Sequence, residues 1–446
     1  MAPPPANPST DAGFREMRNH ARAIFLHALT ECSIPRAFTR QIRRDGDLLL
    51  IGDNSYELGG FERVLVVSIG KAGHTMAEAL SNIVGSELNG IVACPNEPPS
   101  QLPGFRYFTG GHPLPNQESL RAGDAILELV RGGSARSLVL FLISGGASAI
   151  AEKPISASIS LGDVVATYKA LVHSGAPIAE INAVRKHLSA IKGGRLARAT
   201  APAHQVSVLV SDVPENALDA LASGPTMPDS TTVADCYAIA DRYNLLAEFP
   251  ARVRTLFEHK LLEETPKADD PAFEHSHYAT VLSNATATSA AIKQGWANGF
   301  SVEVDNDCDD WDYQQAADYL LRRLREVRQS GTRVCLVSGG EVTVKVGGQS
   351  GVGGRNQQFA LYCAQQIAGE NIVVLSAGTD GIDGNSPAAG AVADGTTLVR
   401  TAQRGFEVTK ALATFGAYPL FDALGDTIMT GPTGNNVRDL RILLAY

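Results

Sequence analysis

No two of the six cysteines, Cys32, Cys94, Cys236, Cys308, Cys335 and Cys363, form a Cys-x-x-Cys pair. The sequence therefore offers neither a zinc knuckle nor a dithiol redox motif, and reduced thiols in a cytoplasmic protein are expected. The Gly-x-Ser-x-Gly elbow of serine hydrolases, the His-Glu-x-x-His zinc helix and the His-Arg-Asp loop of protein kinases are all absent. No apolar run reaches membrane-spanning length, and the opening MAPPPANPSTDAGF lacks the basic start and apolar middle of a secretory signal. Residues 1–14 are expected to be a frayed tail. Positive charge is short as well: Lys+Arg 38 stand against Asp+Glu 47, a formal net charge of −9. This balance disfavours binding to nucleic acid or to an anionic membrane, and any anionic substrate must be met by a local basic pocket.

What is present points to an α/β protein. A chain of 446 residues is too long for one ordinary core and suggests two domains. Short apolar runs at Val64–Ile69, Ile91–Cys94, Leu138–Ile143, Val206–Val210, Thr280–Leu282, Val334–Val337 and Ile372–Leu375 alternate with helical patterns, which implies parallel sheets covered on both faces. The polar, proline-containing stretch EETPKADDPAFEHSH, Glu263 to His277, predicts the boundary, so the chain is divided into 1–270 and 271–446.

In open α/β sheets ligands gather outside the carboxyl ends of strands, and several strand ends here carry small, polar or charged residues. Val64–Ile69 runs into Gly70, Lys71 and Gly73, after which Met76, Ala79, Leu80 and Ile83 recur at helical spacing up to Gly85. Lys71 thus falls on a strand-to-helix turn, where helix N–H groups and a lysine suit an anion such as phosphate. The segment is neither a P-loop nor the Gly-x-Gly-x-x-Gly dinucleotide fingerprint. Leu138–Ile143 ends in Ser144, Gly145 and Gly146, Val206–Val210 ends before Asp212, and Val334–Val337 ends in SGGE with Glu341.

A second anion candidate is GQSGVGGRNQQFALYCAQQIAGE, Gly348 to Glu370. Its glycines, including Gly353 and Gly354, lead into Arg355 at or just before a helix start, with Asn356 as a candidate cap. In GTDGIDG, Asp380 and Asp383 suit oxygen ligation of Mg2+ and equally an ordinary Asx turn. Asp212 and Glu341 are further carboxylates at strand ends, suited to orienting that metal or taking a proton from a substrate hydroxyl. INAVRKHLSAIKGGRLA concentrates Arg185, Lys186, His187, Lys192 and Arg195; it reads either as a solvated helix face or as a cradle for a substrate carboxylate or phosphate. GGHPLPN, Gly110 to Asn116, is a rigid loop carrying His112, and a lone histidine is more often structural than functional.

These segments in this order resemble the class II glycerate 2-kinases, the family whose C-terminal portion is the MOFRL domain. The resemblance rests on GKAG (70–73), GGHPLPN (110–116), LISGGASA (142–149), NAVRKHLSAIKGGRLA (182–197), SDVPENALDALASGPT (211–226), SGGEVTV (338–344), GVGGRNQQFAL (351–361), AGTDGIDG (377–384) and GNNVRDL (434–440), which extend over nearly the whole chain. Two segments depart from the family pattern: PEN at 214–216, where a Gly-Asp pair is usual, and Gly434-Asn435-Asn436-Val437, where Gly-Thr-Asn-Val is common.

The resemblance implies two dissimilar three-layer α/β/α domains, the first Rossmann-like with a mostly parallel sheet and the second of MOFRL type, with the active site in the interdomain cleft. The last segment is expected to pack back on the first domain. Implied too is ATP-dependent phosphorylation of D-glycerate on its 2-hydroxyl, with Mg2+. Lys71 and Arg355 correspond to the family's catalytic cations. Gly70, Gly73, Ser144, Gly145, Gly146, Gly353 and Gly354 are expected at the nucleotide, Arg185, Lys186 and His187 at the substrate, and Asp212, Glu341, Asp380 and Asp383 at the metal. A cytoplasmic enzyme is expected, acting on a small molecule without nucleic-acid or membrane partners, and a homodimer is compatible with the resemblance. The competing readings are an NAD(P)H-dependent hydroxypyruvate reductase and a noncatalytic protein that binds a nucleotide or sugar acid.

Overall fold

Strand-length runs of aliphatic and β-branched residues become the centres of two sheets, because only a strand buried on both faces can hide every side chain of such a run. The computed structural model describes residues 11–85, 87–329, 333–347 and 351–446, and what was expected of 1–10 and of 348–350 in the glycine-rich loop lies outside them. The chain divides into two compact units, Ile34–Val281 and the described part of 1–33 joined to Leu282–Tyr446.

The unit Ile34–Val281 opens with a small antiparallel meander of β1 (Ile42–Asp45), β2 (Leu48–Ile51) and β3 (Asn54–Glu57). Six strands follow: β4 (Arg63–Ile69), β5 (Asn89–Cys94), β6 (Phe105–Thr109), β7 (Ser137–Ser144), β8 (His204–Val210) and β9 (Ser276–Leu282). Their order is β6-β5-β4-β7-β8-β9, and β6, β5, β4, β7 and β8 run parallel. β4 and β7 pair in register from Arg63↔Ser137 to Ile69↔Ile143, so their carboxyl ends emerge side by side at the middle of the sheet. Val67, Ile69, Phe141 and Ile143 pack against Ala122, Ile126 and Val130 of the helix Gln117–Arg131. That helix is started by a capping box in which Asn116 Oδ1 accepts from Ser119 N at 2.8 Å. Phe141 is wholly buried, and truncating such a ring typically costs about 3–5 kcal/mol.

The second sheet comprises β10 (Ser301–Val304), β11 (Val334–Gly339), β12 (Ile372–Gly378), β13 (Gly390–Asp394), β14 (Thr427–Ile428) and β15 (Asp439–Ala445), in the order β10-β11-β15-β12-β13-β14. Only β10 and β11 pair in parallel; the other pairings are antiparallel, so this sheet is mixed where a parallel one was expected. The final segment, expected to pack back on the first domain, is a strand of this second sheet. It becomes β15 and fills the gap between β11 and β12, where Leu440, Ile442, Leu443, Leu444 and Ala445 are fully buried.

The start of the chain also departs from expectation. Residues 11–14 are not frayed: a helix begins at Asp11 and runs to Glu31, and its apolar positions Phe14, Met17, Ala21, Ile24, Phe25 and Ala28 recur at helical spacing against Val337, Leu375, Ile442 and Leu444. Arg18 pairs with the buried Asp394, and Arg18 and Arg22 flank Asp426 at 3.5 and 3.6 Å, with Arg400 bonded to the same carboxylate at 2.7 Å. The opposite face of the sheet is covered by Leu320, Leu321 and Leu324 of the helix Tyr313–Arg328 and by Phe359 and Cys363 of the helix Arg355–Gln366.

The polar stretch at 263–277 lies inside the first unit. Thr265 is buried with its hydroxyl on Asp229 at 2.9 Å, and Gln205 Nε2 donates to Ala272 O at 3.0 Å, so the stretch is bonded down and the division falls at the end of β9, between Val281 and Leu282. Among the described residues no helix is long and apolar enough to cross a membrane.

Candidate active site

At the carboxyl end of β4 the chain turns sharply into the helix Gly73–Val84. The turn is fastened to its neighbours by backbone bonds: Gly70 N to Ala93 O at 3.0 Å, Lys71 N to Gly145 O at 2.9 Å, and Gly73 N back to Gly70 O at 3.0 Å. Ala72 N donates to the buried hydroxyl of Ser144 at 3.1 Å, so Ser144 joins the two strand ends. Lys71 is held by its main chain while its side chain is exposed, and its ammonium has no ion-pair or hydrogen-bond partner among the described residues. An unpaired cation beside a helix N-terminus is an anion-seeking arrangement.

Gly145 and Gly146 form the floor beside it. A Cβ at Gly145 would lie 2.0 Å from Asp212 Oδ2. At Gly146, whose φ is +81°, it would lie 2.9 Å from His112 Cδ2 and 3.1 Å from Lys71 Cγ. Only glycine leaves room for three functional side chains to converge on one turn. Partial desolvation of the otherwise accessible ring, reinforced by the charge of Lys71, pushes the His112 imidazole below its ordinary pKa of 6.5.

The basic segment distributes its charges differently from either expectation. It is neither a solvated face nor a joint cradle, because the helix Ile178–His187 packs into the fold. Lys186 is 3% exposed and bonded to Asp219 at 2.9 Å and Asp229 at 3.1 Å. His187 is fully buried between Ala183 O at 2.8 Å and Glu264 Oε1 at 3.0 Å. Both, expected at the substrate, have partners inside the protein. Lys192 is likewise buried, paired with Glu152 and donating to Tyr168 OH at 2.7 Å, and Ser189 Oγ donates to Glu152 Oε1 at 2.6 Å. Arg185 differs: its guanidinium stacks over the Tyr168 ring at 4.3 Å and makes no hydrogen bond to a described residue. Burial lowers its pKa from the ordinary arginine value.

In the other unit Arg355 is the first residue of the helix Arg355–Gln366, with Gly354 before it as cap. Asn356 is not the cap. Asp383 reaches across from its own loop, accepting from Asn356 N at 3.0 Å and Gln357 N at 2.8 Å. A Cβ at Gly354 would lie 2.2 Å from Asp383 Oδ1, which explains the glycine. Burial raises the Asp383 carboxyl from 3.8 to about 7, against the two backbone N–H groups and Arg355, which favour its charged form.

Arg355 itself is gripped by carboxylates. Its Nε and Nη2 bond Asp439 at 2.6 and 3.0 Å, and Nη1 bonds Glu341 Oε2 at 2.8 Å. Burial alone would lower the guanidinium pKa, yet Asp439 and then Glu341 outweigh it and hold it above the ordinary value. Burial, then Asp439, raises Glu341 despite Arg355. A neighbouring pair, Arg438 with Asp309, is bonded at 2.7 Å, and Asp309 Oδ1 also accepts from Glu341 N at 2.9 Å. A cavity of about 600 Å3 opens here, lined by Gly353, Gly354, Arg355, Asp380, Asp383 and, on its apolar wall, Ile382.

The carboxylates expected at the metal are Asp212 in one unit and Glu341, Asp380 and Asp383 in the other. Asp383 caps a helix and Glu341 braces Arg355, and among the described residues no group of three or more His, Cys, Asp or Glu is arranged to hold an ion. Asp380 lines the Arg355 cavity, while Asp212 lies beside Gly145. Asp439 falls within the GNNVRDL segment but is not singled out there as a site residue, and Glu152 lies in none of the family motifs. The signal for Asp439 was an acid opening the largely apolar run DLRILLA, all of which is buried.

Comparison with other proteins agrees with this architecture. Residues 20–258 match a domain of unknown function, DUF4147, and residues 334–439 match the MOFRL family. The glycerate 2-kinase of Pyrococcus horikoshii is 33% identical over 92% of this chain and 93% of its own. A protein of Agrobacterium vitis, provisionally named a hydroxypyruvate reductase, is 36% identical over 86% of this chain and 87% of its own. The crystal structure of a glycerate kinase from Thermotoga maritima superposes with a TM-score of 0.84 at 31% identity, covering 97% of this chain and all of that one. Two α/β units with these motifs in this order, shared along their full length with such relatives, place the chain in the MOFRL-domain glycerate 2-kinase family.

Proposed function

We propose that the protein transfers the γ-phosphoryl group of ATP to the 2-hydroxyl of D-glycerate, giving 2-phosphoglycerate and ADP. The observation that carries this reading is the unpaired Lys71 ammonium, fixed by its backbone to the Gly145 turn at the centre of a parallel sheet. Phosphoryl transfer asks little of a protein beyond positioning and stabilisation of negative charge, and a cation held ready for that charge can be worth several powers of ten in rate. Lys71 is assigned to the transferring phosphoryl group. Arg355, at a helix N-terminus and a glycine-rich approach, is assigned to nucleotide phosphates, with Gly353 and Gly354 leaving backbone room for them. Arg185, whose guanidinium lacks a hydrogen-bonding partner among the described residues, is assigned to the glycerate carboxylate.

Mg2+ commonly enters such sites on the nucleotide and takes only one or two protein carboxylates, keeping waters for the rest. Asp380, on the wall of the Arg355 cavity, fits that mode. When bound, the ion neutralises charge on the phosphates. A cytoplasmic setting suits the chain, since all six cysteines are buried free thiols.

The test is ADP release from ATP, Mg2+ and D-glycerate, with the product passed to enolase with and without phosphoglycerate mutase. Conversion by enolase alone is expected. A requirement for mutase would move the phosphate to the 3-hydroxyl, and NADH consumption with hydroxypyruvate in place of ADP release would establish the reductase reading.

A further inference from the structure

We propose that His112 is a catalytic residue of this reaction, the group that accepts the proton of the attacking hydroxyl. The inference rests on the kinase reading above. In that step the hydroxyl oxygen forms a bond to the γ-phosphorus as its proton passes to His112 Nε2. The bond from the γ-phosphorus to the β–γ bridging oxygen breaks, and ADP leaves with the electron pair. His112 then returns the proton to solvent.

The geometry separates His112 from a structural histidine. His187 is buried with both ring nitrogens bonded, and His74 Nδ1 is engaged by Tyr107 OH at 3.0 Å. His112 is exposed, and neither ring nitrogen bonds a described residue. Its ring lies on the Gly146 turn with the Nε2 edge inward: a Cβ at Gly146 would be 3.2 Å from Nε2 and 2.9 Å from Cδ2. The same point is 3.1 Å from Lys71 Cγ, so a phosphoryl group drawn to Lys71 and a hydroxyl attacking it arrive within reach of the imidazole.

The charged groups at this turn are Lys71, from the end of β4, and Asp212, beyond β8 on the far side of Gly145. A lysine ammonium cannot take a proton. Partial desolvation and that ammonium both favour the neutral imidazole, the form able to accept one. Replacing the ring leaves the strand-end turns intact, because they are joined by backbone atoms and Ser144.

The experiment is a pH–rate profile of the wild type, His112→Gln and His112→Ala, with thermal melting as a folding control. Glutamine keeps the size and polarity of the side chain but does not titrate. In the variants kcat is expected to fall about 100-fold at neutral pH, the acid limb of the wild-type kcat profile is expected to vanish, and added imidazole is expected to restore part of the rate to His112→Ala. An acid limb that persists with its midpoint unchanged overturns the proposal. So does a rise in KM for ATP at unchanged kcat, which would make His112 a phosphate contact. A wild type that releases no ADP with D-glycerate removes the kinase reading itself, and the proposal with it.

Discussion

Asp439 holds Arg355 in a two-pronged grip, Oδ2 on Nε at 2.6 Å and Oδ1 on Nη2 at 3.0 Å. The carboxylate opens β15, the strand paired on both sides by β11 and β12, so the guanidinium is anchored to the interior of its sheet. Such bidentate pairs fix orientation as well as charge. Asp439→Asn can return only one acceptor oxygen, leaving Arg355 to swing on Glu341. The expected result is a kcat lowered by about 10- to 100-fold with KM for glycerate little changed, read by steady-state kinetics in which each substrate is varied.

Lys71 and Lys192 should respond oppositely to alanine. Lys71 has no partner among the described residues, so Lys71→Ala is expected to cut turnover by about 1,000-fold or more with an unchanged urea midpoint. Lys192 and Glu152 are buried against each other at 1% and 2% exposure. Removing Lys192 strands a buried carboxylate and should cost about 3–5 kcal/mol. Equal stability losses in the two variants would contradict this division of roles.

Asp383 gives stability a particular pH dependence. Its folded pKa of about 7 lies above the ordinary 3.8, so between these values the folded chain binds more protons than the unfolded one. Stability from this group is therefore present at low pH and lost as pH rises through 7. Denaturant curves at pH 5 and pH 8 should show the wild type losing stability relative to Asp383→Asn, by on the order of 2 kcal/mol. A difference of the opposite sign would show that the helix N–H groups outweigh burial.

The first helix is expected to carry a large share of its unit's stability. Phe25 is completely buried against the mixed sheet, so Phe25→Ala should cost about 3–5 kcal/mol. Arg18→Ala should add a separate loss by weakening the pairing of Asp394 and Asp426. Both are measured by equilibrium unfolding, and wild-type values would mean that the helix is dispensable.

The apolar runs alone determined the central strands: β4, β7, β8, β11 and β12 lie where continuous aliphatic stretches require burial on both faces. They also put Lys71, Ser144 to Gly146 and Glu341 at or just beyond the carboxyl ends of those strands. Local pattern could not reveal pairings between distant segments. Nothing in DLRILLA says that it enters the middle of a sheet, and nothing in residues 11–31 says which sheet they cover, because such choices depend on which surfaces remain unburied once the rest has folded. The same reason governs the charges. INAVRKH reads as a run of cations, yet Asp219, Asp229 and Glu264, far along the chain, neutralise or bond Lys186 and His187 and leave Arg185 apart. His112 reads as a lone histidine until Gly146 brings it against Lys71. Sequence set which residues could act; tertiary structure decided which of them were left without partners to do so.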